Sequence, residues 1–245
     1  MKYVLSVSLL FVLLGCGGGG NGDTPPPNIE PGFYYSFDGT GSLIVDNSGN
    51  GHDANPTSLS RVTGKVGTAI QFLSSGSVLE ISNPNSAFPQ NEVLTVMAWV
   101  KTDHNFSARE QIIGGWTGGN PSNFYPIHNF GVSLVDNRLS FEVSSYPSMV
   151  SLTSDQLPMV LNEWFHIAVT YNGDTLKFYY NGQLVNQGSI LTTFDSSFSN
   201  QIGHNYHVFS GIQIFDQFYG YLDELYVDTR VYTDTEILDY YNNTN

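Results

Sequence analysis

Eight consecutive residues, Asp46-Asn47-Ser48-Gly49-Asn50-Gly51-His52-Asp53, hold two glycines, two asparagines, two aspartates and a serine, and no aliphatic side chain. Glycine permits positive φ, and Asn and Asp fold back onto their own backbone, so this composition dictates a tight looped turn. Such a turn can aim carbonyl and carboxylate oxygens at one point, which is what a hard cation such as Ca²⁺ requires. The other reading is a solvated connection between strands. A second polar cluster, His204-Asn205-Tyr206-His207, sets two histidines three apart in a loop. Loop histidines at that spacing read as incidental polar residues rather than ligands. Other chemistries lack their residues. Gly-x-Ser-x-Gly is missing, as are the His-x-x-x-His and Cys-x-x-Cys zinc spacings. The glycines Gly17 to Gly20 are not followed by the Gly-Lys-Ser/Thr of a phosphate loop.

The chain around these clusters is acidic, with 8 Lys and Arg against 22 Asp and Glu and a net charge of −14. That balance argues against nucleic acid as a partner, because phosphate neutralisation by basic side chains supplies most of such affinity. Charged residues make up 12% and aromatics 14%, with 25 glycines, a mix that suits an all-β domain better than a helical one.

Residues 1–15 read as a signal peptide: Lys2 supplies a positive start, and the apolar run from Tyr3 to Leu14 is too short to span a bilayer. The run ends in Leu13-Leu14-Gly15-Cys16, which resembles a bacterial lipobox, and Cys16 is the only cysteine. That resemblance implies lipidation at Cys16, and Gly17 after it resembles outer-membrane sorting, with the domain facing the periplasm or the cell surface. Residues 16–31 form a tether, flexible through its glycines and stiffer through Pro25-Pro26-Pro27.

From residue 32 to 245 the sequence reads as one β domain of short strands between turn clusters. Period-two alternation marks Leu94 to Lys101 and Trp164 to Tyr171. Strands are also expected at Phe33–Phe37, Val78–Ile81, Gln111–Ile113, Phe130–Val135, Leu139–Val143, Gln201–Gly203, Ile212–Phe215 and Gly220–Val227, and Gly64 to Phe72 reads as a turn feeding a strand. Asn181-Gly182 joins Thr175–Tyr180 to Gln183–Asn186 as a hairpin. Thr233-Asp234-Thr235-Glu236 is a capping box before a short C-terminal helix carrying Ile237, Leu238 and Tyr241 on one side. Many short strands with one late helix predict a two-sheet antiparallel sandwich.

Taken together, several blocks resemble the laminin-G-like branch of the concanavalin A-like lectin/glucanase superfamily. They are Phe37-Asp38, the Asp46 to Gly51 loop, Gly64-Lys65-Val66-Gly67 with Ala69 and Phe72, and Val96 to Val100. Trp164 to Thr170, Tyr180-Asn181-Gly182, Gly220 to Leu225 and the capped helix complete the set. The resemblance implies a jelly-roll sandwich. It also implies a structural Ca²⁺ held by carboxylates of Asp38, Asp46 and Asp223, with Asn50 and His52 contributing backbone carbonyls. It leaves the 103–137 and 195–218 regions unconstrained, and specificity would be written there.

Retaining glucanases of this superfamily carry two glutamates on alternate positions of one strand, and no Glu-x-Asp-x-Glu occurs here. Lyase-like members carry Gln-Ile/Val-His, and Gln111-Ile112-Ile113 lacks the histidine. Catalysis is therefore not expected. Sugar C–H faces stack on amphipathic rings, so Trp116, Tyr125, His128, Tyr146, Tyr206 and His207 in the unconstrained loops are the expected ligand contacts. The alternative for each is a ring packed onto the sandwich. Trp99 and Trp164 lie in strand blocks and are expected in the core. The expectation is a lipid-anchored, exported, non-catalytic module for a glycan or glycoprotein. The alternatives are an adhesive surface protein that binds another protein, or a divergent glycan-degrading enzyme.

Overall fold

Alternating apolar positions become strands because only a sheet places every second side chain on one face. The structure, a computed structural model, describes residues 32–82, 93–116, 128–145, 148–191, 199–204, 206–209 and 212–245. Cys16, Tyr125 and Tyr146 lie outside the described residues.

The strands run, in order, β1 Phe33–Tyr35, β2 Ala54–Thr57, β3 Leu59–Thr63, β4 Thr68–Phe72, β5 Val78–Ile81 and β6 Leu94–Lys101. Then come β7 Glu110–Trp116, β8 His128–Val135, β9 Arg138–Ser145, β10 Ser148–Thr153, β11 Phe165–Tyr171 and β12 Thr175–Tyr180. They finish with β13 Gln183–Ser189, β14 Ser199–Ile202, β15 Tyr206–Phe209, β16 Ile212–Phe215 and β17 Gly220–Asp228, before helix α1 Asp234–Thr244.

One sheet has the order β13-β12-β11-β6-β17-β4-β3, with β1 added against β17. The second has the order β10-β9-β8-β7-β14-β5-β2, and β15 pairs with β16 as a separate hairpin. The pairings between named strands are antiparallel. The two large sheets close on one core that includes Phe33, Tyr35, Phe72, Phe130, Phe141, Phe165, Tyr171 and Phe178. This is the two-sheet jelly-roll sandwich with one C-terminal helix that the sequence predicts.

Of the strands absent from the sequence reading, β2, β3 and β10 sit at the edges of the two large sheets. An edge strand needs only one ladder and tolerates polar residues and proline, as Pro56 in β2 shows. The segment holding Tyr206 and His207, expected as a loop, is strand β15, its ladder supplied by β16.

Helix α1 begins with the predicted capping box. Glu236 N donates to Thr233 Oγ1 at 3.3 Å, and Thr233 N donates to Glu236 Oε2 at 2.8 Å. It covers the outer face of the first sheet, where Tyr34, Met97, Ala168, Tyr179, Tyr226, Tyr232, Ile237 and Tyr240 form a second cluster. The helical residues fully buried there are Ile237 and Tyr240, whereas Leu238 and Tyr241 lean on the β12–β13 turn. At Gly182, with φ of +75°, a Cβ would stand 3.0 Å from both Leu238 Cδ1 and Tyr241 Cβ, so helix and hairpin share that glycine.

Trp99 is buried as expected, and its Nε1 donates to Thr244 Oγ1 at 2.9 Å. Trp164 is not a core residue. It is half-buried one step before β11, edge-on to Tyr221, with the Lys101 ammonium 4.9 Å from its ring centre.

Candidate binding site

Asp46 sits at the root of the Gly/Asn loop and is buried. Its Oδ1 accepts Tyr34 N at 3.1 Å, Ser48 N at 3.0 Å and Ser48 Oγ at 2.6 Å, and its Oδ2 accepts His52 N at 3.0 Å. Asn50 Nδ2 donates to Gly32 O at 3.0 Å, and the His52 carbonyl accepts the Tyr35 hydroxyl. Asn47 N donates to Tyr34 O at 2.7 Å, so the loop lies along β1 and covers its free edge.

Asp223 and Asp38 meet at a different turn. β17 changes its second neighbour along its length: Gly220–Leu222 pair with β4, and Leu225–Val227 pair with β1. At the change the β6–β17 ladder slips between Asp223 and Tyr226, and Glu224 takes φ of +50°. The Gly64–Gly67 turn fills the space. Lys65 N and Val66 N donate to Asp223 Oδ2 at 2.8 and 3.0 Å, Glu224 N donates to Oδ1 at 2.9 Å, and Thr68 N donates to Asp38 Oδ1 at 2.6 Å. Burial pushes the Asp223 carboxyl up to about 8 in spite of its three N–H donors.

The five residues expected to share Ca²⁺ thus fall into two hydrogen-bonded systems. Among the described residues, no three His, Cys, Asp or Glu side chains come together to hold a metal. A cation on Asp46 would compete with four N–H and O–H donors, three on Oδ1 and one on Oδ2. The donor set as arranged suits hydrogen bonds and does not fit a shared ion.

A concave site lies elsewhere, at the end of the second sheet. It is a cavity of about 530 Å³ lined by Ser75, Gly76, Ala108, Arg109, Glu110, His204, Gln217 and Tyr219. Three segments build it: the turn before β5, the run into β7, and the stretches on either side of the β15–β16 hairpin. The hairpin base is stitched down by Gly203 N to Ile112 O at 2.8 Å, Phe218 N to Gly203 O at 2.9 Å and Gln111 N to Asp216 O at 3.3 Å. Gln217 locks the rim. Its Oε1 accepts Gly76 N at 2.8 Å, and its Nε2 donates to Ser77 O and Gly203 O at 2.9 and 2.6 Å.

The charged groups of this site are held in place. Glu110 Oε2 accepts Tyr219 N at 2.8 Å, and Glu110 Oε1 lies 2.6 Å from His104 Nε2, whose Nδ1 lies 3.1 Å from Asp103. Burial raises the Glu110 pKa, with the Tyr219 N–H and His104 opposing it. Burial works against the His104 charge, but the bonds to Glu110 and Asp103 outweigh it and leave the pKa raised. Burial lowers the pKa of His204 and keeps that imidazole neutral at pH 7. Arg109 pairs with the buried carboxylate of Glu142, lies 3.4 Å from Ser133 Oγ and feels Asp216 nearby.

Beside the cavity, β7, β8 and β9 turn a polar face away from the core. Ile112, Val132, Leu134, Phe141 and Val143 pack inward, while Gln111, Ser133, Ser140 and Glu142 on the other face are also buried. Gln111, Ser133 and Ser140 stand in one cross-strand row, with Gly131 opposite Glu142 in the next. Gln111 fills the space over the glycines: a Cβ at Gly114 or Gly131 would come within 2.7 or 2.8 Å of its Nε2.

Of the expected ligand contacts, Trp116 and His128 are brought directly opposite each other by the β7–β8 register. Tyr206 and His207 stand on β15, opposite Phe215 and Ile214. Arg109, Glu110, Glu142 and Tyr219 were not singled out from sequence. Their one signal is Arg109-Glu110 in a chain with only 8 basic residues.

The laminin G-like sequence family described as "Concanavalin A-like lectin/glucanases superfamily" matches residues 73–238. The chain belongs to that superfamily. No curated protein matches the sequence. Among solved structures, the binding domain of Paraclostridial Mosquitocidal Protein 1 is similar at TM-score 0.65 and 17% identity, covering 86% of this chain and 51% of that one. Domain 4 of AbnA, a GH43 extracellular arabinanase from Geobacillus stearothermophilus in complex with arabinotriose, is similar at TM-score 0.65 and 20% identity. That likeness covers 86% of this chain and 98% of the arabinanase domain. The botulinum neurotoxin type G receptor binding domain is similar at TM-score 0.62 and 16% identity, covering 91% of this chain and 51% of that one. The chain spans about half the length of the two toxin domains. At these identities the likeness is one of fold.

Proposed function

We propose that the chain is an exported, non-catalytic module that binds a glycan or glycoprotein in the Arg109–Tyr219 cavity. Lipidation at Cys16 and the 16–31 tether hold it to the outer membrane, facing the periplasm or the cell surface. The observation that carries the reading is the cavity of about 530 Å³, within the size range of small-ligand sites, with Arg109, Glu110, His204, Gln217 and Tyr219 in its lining. Tyr219 is 38% exposed, enough to offer its ring to a sugar face. The solved arabinanase domain with arabinotriose, and the receptor binding domain of the neurotoxin, support the same reading by likeness of fold.

The carboxylates here serve to bind. Retaining hydrolysis needs two carboxyl groups about 5–5.5 Å apart, one protonated and one ready to attack. Glu110 has a partner on each oxygen, and Glu142 is tied to Arg109.

A glycan array probed with the full-length chain in detergent tests the reading, run beside an assay of reducing-end release from mixed polysaccharides. The expected result is a defined set of bound glycans and no release. An empty array would overturn glycan recognition, and reducing ends released by the purified chain would move it to the enzymes.

A further inference from the structure

A sugar acid is recognised best by an arginine whose planar fork is free to take the carboxylate with two parallel hydrogen bonds. Arg109 is the arginine lining the cavity, and its Nη1 is already committed. Its Nη1 pairs with Glu142, whose side chain is 8% exposed, and Asp216 stands close enough to act on it. Glu142 is itself fixed by the β8–β9 ladder, where it stands opposite Gly131, with Ser140 Oγ 3.5 Å from its Oε1.

The other charges at the site lean the same way. Glu110, Glu142 and Asp216 contribute three carboxylates against Arg109 and the His104 imidazole, while His204 stays neutral. An incoming carboxylate would meet like charge in a half-buried site and find Nη1 of the guanidinium paired with Glu142. Releasing Arg109 to it would leave Glu142 buried without its partner, an unfavourable exchange. An uncharged hydroxyl meets no such barrier, because an ionised carboxylate offers about four acceptor positions and a sugar hydroxyl can donate to those that remain.

We propose that the cavity selects uncharged, hydroxyl-rich sugar rings and rejects uronates and sialates, and that Glu142 sets this selectivity by holding Arg109. The inference rests on the glycan-binding reading and adds to it a ligand class and a positioning residue. Glu142 acts through Arg109 rather than by touching the sugar.

The test is a glycan array of neutral, uronate-containing and sialylated oligosaccharides, probed at pH 7 with the full-length wild-type chain and with Glu142→Gln. Glutamine keeps the shape of the side chain and removes its charge, which frees the guanidinium. Wild type is expected to bind only neutral glycans, with signals that persist at 0.5 M NaCl. Glu142→Gln is expected to gain carboxylated glycans at least tenfold over wild type, and that gain should vanish at high salt. The double variant Arg109→Gln with Glu142→Gln removes the buried pair together and should lose the gain, showing that it runs through Arg109. A wild-type chain that prefers carboxylated glycans would overturn the selectivity even if the variants fail to fold. A folded Glu142→Gln with the wild-type profile would overturn the role of Glu142 and leave glycan binding intact. An empty wild-type array would overturn the binding reading itself, and this inference with it.

Discussion

Two acidic regions of this molecule use carboxylates in opposite ways. Around Asp46, Asp223 and Asp38 the carboxylates receive backbone N–H groups and close gaps where no strand can run: beside β1, and where β17 exchanges β4 for β1. Around Glu110 and Glu142 they are paired with Arg109 and His104 and border an open cavity. The first region holds the fold; the second borders the cavity proposed to take the ligand. The difference teaches that a residue set rich in oxygen donors is a site only if its lone pairs are not already spent on the backbone.

The largest expected effect separates the two by stability. Asp46→Ala removes four hydrogen bonds to a buried carboxylate and strands the N–H groups of Tyr34 and His52. Bonds to charged groups are worth about 1.5–3 kcal/mol each and are not additive, so we expect a loss of about 4 kcal/mol in urea unfolding. Tyr219→Ala, at the rim of the cavity, should fall within about 1 kcal/mol of wild type in the same measurement. If the two variants unfold alike, the contrast between the regions fails.

His166 provides an effect that depends on pH and belongs to neither region. It is fully buried among Trp99, Tyr240 and Tyr241, both ring nitrogens lack a partner among the described residues, and burial lowers its pKa to about 3. The folded state therefore binds fewer protons than the unfolded chain between pH 6.5 and 3. Its share of stability is complete above about pH 6.5 and falls with the pH, by about 2 kcal/mol at pH 5. His166→Leu should flatten that acid limb in urea titrations at pH 5 and 7; an unchanged slope would show that the ring does not stay neutral.

Metal removal sharpens the account of the first region. With each Asp46 oxygen held by hydrogen donors, millimolar chelator should leave Tm unchanged, within a degree. A fall of several degrees, restored by added Ca²⁺, would show that an ion replaces those donors and that the loop is a metal site.

The smallest stability effect carries the largest consequence for binding. Tyr219→Ala should weaken any bound glycan about tenfold, in line with about 1.4 kcal/mol for a lost ring contact.

Much of the fold could be read in advance because buried strands write their period into the sequence. Leu94 to Lys101 and Phe165 to Tyr171 alternate and lie side by side at the centre of the first sheet. Edge strands such as β2 and β10 carry polar residues on a single ladder and leave little pattern. The opening loop was visible as a turn, but its composition is the same whether its oxygens face a cation or the amides of β1. Asp38 and Asp223 do meet at one turn, as two distant acidic segments, with N–H groups between them. The cavity was harder to see. Arg109, Glu142 and Tyr219 are scattered along the chain, each ordinary where it stands, and only the strand register and the base of the β15–β16 hairpin bring them together. Trp164 shows the converse, a tryptophan inside a strand pattern that ends half-exposed beside Lys101.

The claim on which the rest depends is that the Arg109–Tyr219 cavity is where this chain meets its ligand. The direct measurement is calorimetric titration of the strongest array glycan into the full-length wild-type chain and into Tyr219→Ala, with unfolding curves confirming that both are folded. The account predicts saturable binding to wild type and a loss of about tenfold in the variant. Equal affinity for the two folded proteins would place the ligand elsewhere on the molecule and contradict the claim.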